Sequence, residues 1–563
     1  MKQVAIGVQD FETIRKEQIF YIDKTGFIKE WWENRDSVTL IARPRRFGKT
    51  LNMDMLEKFF SVKYAGRSDL FENLEIWKDS KYRELQGTYP VIFLSFANVK
   101  EKTYEAAKMR INQILEELYI KNSFLLKGDY LSEKEKEVFR QVCVDMDEPV
   151  ATLAIHRLCG FLQRYYGKKV IVLLDEYDTP MQEAYVDGYW DEFTSFTRSL
   201  FNAAFKTNPY LERAIMTGIT RVSKESIFSD LNNLKVVTTT SDEYADSFGF
   251  TEEEVFHALA ERNLSDKKQE VKAWYDGFTF GKVKDVYNPW SIINYLDTGK
   301  FSTYWANTSS NSLVGKLIQQ GSSEIKLDFE KLMCGEILEK EIDEQIVYNQ
   351  LDDNESALWS LLLASGYLKV KKFHAGVNEA GDWEEKYELE LTNFEVKTMF
   401  RRMIKSWFGR ASSQYNSFIK ALLADDVEAM NDYMNDVALA TFSSFDVGKK
   451  ESGTAPERFY HGFVLGLLVE LNSRYVMLSN RESGRGRYDV MLEPRKSADH
   501  AYILEFKAIN SKKEKDLSET VQAALMQIED KKYETVLMDK GISKEKIHKY
   551  GFAFQGKHVL IGK

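Results

Sequence analysis

The chain has 563 residues, 44% hydrophobic and 13% aromatic, so it is long enough for several domains with apolar cores and is not a disordered chain. Its net charge of −10 gives no general attraction to nucleic acid, although Lys and Arg outnumber Asp and Glu by three from Glu451 onward. Three scattered cysteines without a C-x-x-C pair and the lack of any long apolar run argue against a disulfide framework, a thiolate zinc site and a membrane span, and we expect a cytoplasmic protein.

Strands and helices alternate in the predicted first domain, residues 1–245. Amphipathic stretches at 103–119 and 151–166 are typical of helices, and they separate short apolar runs that are typical of buried parallel strands. These runs are 37–42, 90–96, 169–175, 213–217 and 235–240. The alternation predicts the α/β fold class, with a parallel sheet covered by helices.

The motif RPRRFGKT at residues 43–50 lies between the first predicted strand and a helical stretch. A phosphate-binding loop needs backbone N–H groups at the phosphates, a Lys that reaches the β- and γ-phosphates, and a hydroxyl for Mg²⁺. Because Arg43 stands where the usual pattern has its first glycine, a plain turn is the alternative. The predicted nucleotide contacts of this loop are Arg46, Phe47, Gly48, Lys49 and Thr50.

The apolar run at 169–175 ends in two acidic residues, Asp175 and Glu176. A P-loop ATPase needs a carboxylate at a strand tip for Mg²⁺, and hydrolytic members place a Glu beside it to orient the attacking water. We therefore predict Asp175 and Thr50 as metal ligands and Glu176 as the catalytic base. The alternative is that the acidic pair only caps the following helix.

The run at 213–217 continues into TGITRVS, which would place Thr217, Thr220 and Arg221 at a sheet edge near the γ-phosphate. We predict nucleotide contacts for Thr217 and Arg221. Arg221 would alternatively be an arginine finger for a neighbouring subunit, which implies a homo-oligomer, or an ordinary surface cation.

Long helical patterns, including 355–368 and 393–408, predict a mainly helical lid or linker region over residues 246–450. The charged and Gly-containing run KKESGTA at 449–455 predicts a linker. The third predicted domain is 451–563.

The last domain contains two neighbouring predicted strands with acidic and basic side chains. RYDVML, at 487–492, presents Asp489, and AYILEFKAI, at 501–509, presents Glu505 and Lys507 on one face. Metal-dependent phosphodiester cleavage needs two carboxylates for Mg²⁺ and a Lys that orients or deprotonates water. An ordinary ion pair on an edge strand is the alternative, but a predicted helix at 457–471, the GRGR turn and a later helix complete an ordered pattern.

At this point the chain resembles known families. IGVQDFETIRKEQIFYIDKTGFIKEWW, RPRRFGKT, LLDEYDTP, TGITRVS and WYDGFTFG occur in the order found in the bacterial AAA-ATPase-like domain family. The resemblance implies a P-loop ATPase whose sensor strand lies between the loop strand and the acidic strand. In that family an Arg at the position of Arg43 is usual.

Residues from about 456 to 563 resemble the PD-(D/E)xK nuclease superfamily, which has a restriction-endonuclease-like α/β fold. The resemblance implies that Asp489 and Glu505 are metal ligands and that Lys507 is the catalytic lysine. It also matches Glu457 to a fourth acidic position, with Glu470 as a rival, and likens Gln527 and Tyr533 to site residues of RecB-like members. Arg485 and Arg487 would suit DNA phosphates.

Taken together, the motifs predict an ATP-binding, ATP-hydrolysing protein coupled to a nuclease that uses Mg²⁺ or Mn²⁺ and acts on nucleic acid, DNA by preference. One alternative is a nucleotide-gated DNA- or protein-binding signalling protein that does not cut. Another is an ATPase that remodels a partner protein.

Overall fold

The chain divides into two compact units in a computed structural model: Met1–Leu317 with Leu332–Met399, and Ile318–Lys331 with Phe400–Lys563. The structure describes residues 2–222, 228, 231–306, 308, 312–320, 322–343, 345–346, 355–377, 381–407, 412–441, 464, 468, 471, 474–479, 482–483, 486–487, 489–510, 513–555 and 558–563. Within these residues no helix combines the length and the apolar character that crossing a bilayer requires.

The first unit is built on a five-stranded parallel sheet with the strand order β2-β3-β4-β1-β6. Its strands are β1 Val38–Ala42, β2 Val91–Ser95, β3 Val170–Asp175, β4 Leu211–Gly218 and β6 Leu234–Val237. All five predicted strands are present, and every residue of β1 and β3 is buried, as expected for a sheet covered on both faces. The sensor strand β4 lies between the loop strand β1 and the acidic strand β3, which confirms the predicted strand order.

Helices cover this sheet, and local sequence sets their ends. The helix α3 begins at Lys49, directly after Gly48, whose φ of 81° lets the chain turn into the helix. The helix α7 has Pro149 in its first turn and ends at Gly167, which has a φ of 67°. These helices are α1 Phe11–Lys16, α2 Gly26–Asn34, α3 Lys49–Phe60, α4 Ser80–Leu85, α5 Tyr104–Lys121, α6 Glu133–Arg140, α7 Glu148–Tyr166, α8 Thr179–Asp187 and α9 Trp190–Phe205.

The middle of the chain adds β-structure that the sequence analysis did not predict. Two three-stranded sheets, β7-β9-β8 and β10-β13-β12, and a two-stranded parallel pair, β5-β11, form there. The strands are β5 Arg221–Val222, β7 Phe250–Thr251, β8 Phe278–Phe280, β9 Val283–Tyr287, β10 Leu338–Lys340, β11 Gln345–Ile346, β12 Leu368–Val377 and β13 Trp383–Leu391. The helices are α10 Glu252–Glu261, α11 Lys268–Tyr275, α12 Pro289–Thr298, α13 Ser312–Gln320, α14 Ser323–Cys334, α15 Glu355–Ala364 and α16 Phe394–Trp407.

The helix predicted over 355–368 is shorter than expected. It ends at Ala364, because the chain reverses at Gly366, with a φ of 82°, and continues as the strand β12. A side chain at Gly366 would also clash with Phe278 and Pro44, so the turn depends on this glycine.

The second unit contains a five-stranded mixed sheet with the order β14-β17-β18-β19-β20. Its strands are β14 Tyr475–Ser479, β17 Val490–Pro494, β18 Ala501–Ala508, β19 Ile547–Gln555 and β20 His558–Gly562, with a separate short hairpin of β15 Glu482–Ser483 and β16 Gly486–Arg487. The helices are α17 Ser412–Leu423, α18 Val427–Thr441, α19 Leu517–Asp530 and α20 Thr535–Met538.

The domain boundary predicted between residues 450 and 451 does not coincide with the boundary of this unit. Leu422 of α17 and Met430 of α18 are fully buried in one core with Leu504 and Phe552 of the C-terminal sheet. The two helices therefore belong to the C-terminal unit, because their apolar faces complete its core. The predicted linker at 449–455 lies outside the described residues, and so does nearly all of the helix predicted at 457–471.

Candidate functional site

The carboxyl ends of β1, β3 and β4 lie next to each other, and three predicted site residues meet there. Asp175 is 1% exposed. One of its carboxylate oxygens accepts a hydrogen bond from the Thr50 hydroxyl at 2.7 Å, and the other accepts one from the Thr217 hydroxyl at 2.5 Å. Burial raises the pKa of Asp175, so a bound cation would stabilise its ionised form. The buried carboxylate and the adjacent hydroxyl are a donor set that fits Mg²⁺.

Glu176 follows in a left-handed conformation, with a φ of 54°, which is strained for a residue other than glycine. Its N–H donates to the Thr217 hydroxyl at 3.4 Å, and its carboxylate accepts a hydrogen bond from the Thr179 hydroxyl at 3.0 Å. The residue at the N-cap of α8 is Asp178, and its side chain makes no capping hydrogen bond. Capping of α8 therefore does not explain the position of Asp175.

Lys49 lies inside the loop and is only 3% exposed. Its ammonium donates to the carbonyl oxygens of Arg43 and Pro44, each at 2.9 Å. Burial lowers the pKa of Lys49, while the neighbouring carboxylates of Glu176, Asp178 and Asp175 act in the opposite direction. Phosphate oxygens could replace the two carbonyl oxygens as hydrogen-bond acceptors, and the buried ammonium would balance part of their negative charge.

Arg43, which replaces the usual first glycine, has a structural role in the loop. Its guanidinium is fully buried and donates to the carbonyl oxygens of Thr238 at 2.5 Å and Glu243 at 3.2 Å. It also lies over the Phe280 ring, 4.5 Å from the centroid. The Arg43 side chain therefore connects the loop of residues 43–50 to the segment that follows β6.

The side chains of Arg46 and Phe47 are also used for packing. Phe47 is fully buried, with its ring 4.7 Å from Phe278. Arg46 has a φ of 65°, and its guanidinium lies 4.6 Å from the Trp290 ring. The two side chains are therefore engaged in packing, and the prediction that these residues contact phosphate applies to their backbone N–H groups.

Asp178 is a site residue that the sequence analysis missed. Its side chain is 3% exposed, and Oδ2 accepts hydrogen bonds from the Ile219 and Thr220 N–H groups at 2.8 Å and from the Thr220 hydroxyl at 3.0 Å. Asp178 thus holds the turn that follows Thr217. Arg221 begins β5 and pairs with Gln345, and it is not one of the residues that hydrogen-bond to Asp175. The signal for Asp178 was its place three residues after Asp175.

The second cluster is formed by β17 and β18, which pair antiparallel with Val490 opposite Leu504. Asp489 lies one residue before β17, not within it as predicted, and its Oδ2 accepts the N–H of Phe506 at 2.8 Å. Glu505 and Lys507 both contact Gln527 of α19. The Gln527 amide nitrogen donates to Glu505 Oε1, and Lys507 donates to the Gln527 amide oxygen at 2.8 Å.

Gln527 therefore links the predicted ligand Glu505 to the predicted catalytic lysine. The Tyr533 hydroxyl lies 3.5 Å from the Gln527 amide nitrogen, so this tyrosine borders the same cluster. Glu457, Glu470 and Arg485 lie outside the described residues, as does the side chain of Arg487.

The environment of Glu505 fits a divalent cation. Glu505 is 2% exposed, and its Oε2 is buried without a hydrogen-bond partner among the described residues. Burial, reinforced by the neighbouring Asp489, raises the pKa of Glu505 to about 9. A metal ion would supply both the missing partner of Oε2 and the missing positive charge.

Comparison with known proteins gives one full-length similarity. The chain is 25% identical over 571 residues to a protein of Azotobacter chroococcum mcd 1, and the match covers 98% of this chain and 96% of the relative. That relative is described as an uncharacterized protein in the vnfD 5′ region, and this description names no activity.

Two family models match separate parts of the chain. A model described as a predicted AAA-ATPase matches residues 5–228, and a model of the PD-(D/E)XK nuclease superfamily matches residues 455–563. Domains of these kinds point to nucleotide binding and to nuclease-type activity on nucleic acid, with use of a nucleotide and a divalent metal. The chain therefore combines an AAA-ATPase-like domain with a PD-(D/E)XK nuclease superfamily domain.

Proposed function

We propose that the protein binds and hydrolyses ATP and that its nucleotide state controls a Mg²⁺-dependent nuclease that acts on DNA, with Mn²⁺ as a substitute metal. The observation that carries the ATPase half is the contact of Asp175 with both Thr50 and Thr217, because it joins the loop, the acidic strand and the sensor strand. The observation that carries the nuclease half is the buried Glu505 Oε2, which has no hydrogen-bond partner in the described part of the chain.

In the ATPase half, Lys49 exchanges its two backbone carbonyl partners for β- and γ-phosphate oxygens. Thr50 and Asp175 hold the metal, and Glu176 orients the attacking water. Thr217 connects the two acidic residues, since it donates to Asp175 and accepts the N–H of Glu176. The turn that Asp178 stabilises keeps Thr217 next to Asp175 and Glu176.

In the nuclease half, Asp489 and Glu505 hold the metal and Lys507 orients the attacking water. At both sites Mg²⁺ supplies charge that stabilises the transition state of phosphoryl transfer. Gln527 fixes the distance between Glu505 and Lys507, so a ligand and the water-orienting group are aligned before the substrate binds.

The test is cleavage of linear, circular and single-stranded DNA with Mg²⁺ or Mn²⁺, with and without ATP. We expect Lys507→Ala to abolish cleavage and Lys49→Ala to change its response to ATP. Lys531→Ala and Lys63→Ala remove exposed lysines of the same two units and serve as matched controls. If the unmodified protein binds DNA but does not cut it with either Mg²⁺ or Mn²⁺, the proposal is contradicted and the protein is a nucleotide-gated binding protein.

A further inference from the structure

Three carboxylates from separate elements of the first unit converge outside the candidate nucleotide site. Glu252 lies in the first turn of α10, Asp276 directly follows α11, and Asp285 lies in β9. One carboxylate oxygen from each residue lies within 4.8 Å of the other two. No residue of this group belongs to the sites described above.

One of the three carboxylates has an oxygen whose bonding is incomplete. Asp276 is 7% exposed, and its Oδ1 is buried with no hydrogen-bond partner in the part of the chain that the structure describes. Buried polar atoms almost always have a partner, and a carboxylate oxygen accepts only from a donor or a cation. This oxygen of Asp276 is therefore available to bind a cation.

Lys272 neutralises the cluster only in part. Its ammonium donates to Glu252, but it lies 3.8 Å from Asp276 Oδ2 and 3.5 Å from Asp285 Oδ2. Both distances exceed the usual hydrogen bond of about 2.7–3.2 Å. Three carboxylates around one ammonium leave an excess of negative charge if all are ionised. The Tyr287 hydroxyl also donates to Glu252, at 3.3 Å, but it is neutral and does not reduce this excess.

We propose that Glu252, Asp276 and Asp285 form a binding site for Ca²⁺. The donor set contains only oxygen, which selects a hard cation over a transition metal. Mg²⁺ is usually held by one or two carboxylates together with water or substrate phosphates, whereas Ca²⁺ accepts a larger number of protein oxygen ligands. Three protein carboxylates that converge on one point therefore favour Ca²⁺ over Mg²⁺.

The test uses the 563-residue chain with Asp489→Asn and Glu505→Gln, so that the proposed nuclease metal site is removed, and without nucleotide. Tb³⁺ replaces Ca²⁺, and its emission is excited through tyrosine, because Tyr287 lies against the cluster. We expect Ca²⁺ to displace Tb³⁺ more readily than Mg²⁺ does. Asp285→Asn and Glu252→Gln should each weaken binding at least about tenfold, because each removes a charged oxygen ligand.

Glu253→Gln is the matched control, since it removes the same charge from the same helical turn outside the cluster. Lys272→Met should strengthen binding, a change that misfolding cannot imitate. Absence of sensitised emission, equal affinity in Asp285→Asn, or equal losses in Glu253→Gln would each overturn the proposal. Displacement by Mg²⁺ as readily as by Ca²⁺ would overturn the assignment of the ion.

Discussion

At the scale of single residues, the buried carboxylate of Asp178 connects the acidic strand to the sensor turn. Asp178→Ala removes the acceptor of three hydrogen bonds from Ile219 and Thr220. We expect the free energy of unfolding to fall by about 2–4 kcal/mol, because buried donors lose their partner. In ATP hydrolysis, kcat should fall by a larger factor than KM rises, since Thr217 is displaced. Urea unfolding and steady-state ATPase assays measure the two effects.

Asp187→Ala is the control for this variant, because Asp187 is an exposed carboxylate at the end of the same helix, α8. It should leave stability and turnover close to those of the unmodified protein. If Asp178→Ala behaved like this control, the proposed link between the two strands would be wrong.

Glu505 gives a prediction about pH. Its pKa is raised to about 9, so the folded protein keeps a proton that the unfolded chain releases near its ordinary value. The folded state then binds more protons than the unfolded state, and the contribution of Glu505 to stability falls as pH rises from about 5 to about 9. Metal binding below the raised pKa must release this proton, so metal affinity should rise with pH in the same window.

The variant Glu505→Gln separates these effects. At pH 8 the metal-free variant should be more stable than the metal-free unmodified protein, because the amide needs no proton. This gain in stability should exceed the gain at pH 5 by more than about 1 kcal/mol. The variant should also abolish metal binding at the site formed by Asp489 and Glu505. Thermal unfolding at the two pH values and calorimetric titration with Mn²⁺ measure both outcomes, and a pH-independent difference in stability would contradict the raised pKa.

At the scale of elements, the helix α18 takes the place of another strand at the edge of the C-terminal sheet. The Asn431 amide accepts the N–H of Ile561 at 2.7 Å and donates to its carbonyl oxygen at 2.9 Å. Asn435, one helical turn later, does the same for Val559 at 3.0 and 2.8 Å. Four backbone groups of the edge strand β20 are therefore satisfied by two side chains, which protects this edge from pairing with other chains.

Replacing both residues with alanine should lower the free energy of unfolding of the C-terminal unit by about 2–4 kcal/mol, since four hydrogen bonds are lost at a partly solvated edge. The exposed edge should also favour self-association. Urea unfolding and light scattering measure these changes, with Asp432→Ala, an exposed position between the two asparagines, as the control. Unchanged stability in the double variant would mean that water satisfies the edge equally well.

The elements that sequence predicted best are those whose signal is local. The buried strands β1 and β3 are almost entirely apolar runs; the loop follows β1, and the acidic pair begins at the last residue of β3. The role of Arg43 was not predictable in this way, because its partners Thr238 and Glu243 lie about 200 residues along the chain. The strands β12 and β13 were missed because both carry many charged residues, and the apolar alternation at Tyr387, Leu389 and Leu391 covers only the end of β13.

At the scale of the whole molecule, sequence motifs located the two domains but not their limits. The PD-(D/E)XK match begins at residue 455, whereas the compact C-terminal unit includes residues 400–563 and a separate segment, 318–331. Family motifs follow the residues of the site. The extent of a folding unit depends on which apolar faces cover its core, and α17 and α18 carry no motif that reveals this role.

This difference gives a prediction about fragments. A fragment of residues 451–563 lacks α17 and α18, so it loses Leu422 and Met430 from the core that they share with Leu504 and Phe552, and the edge of β20 loses Asn431. Residues 400–563 retain both contacts. Because both fragments lack residues 318–331, their comparison isolates the contribution of residues 400–450. We expect the longer fragment to unfold cooperatively in urea and the shorter one to aggregate or to unfold without a sharp transition. Equal cooperativity and equal m-values for the two fragments would mean that the two helices cover the nuclease sheet without being needed for its fold.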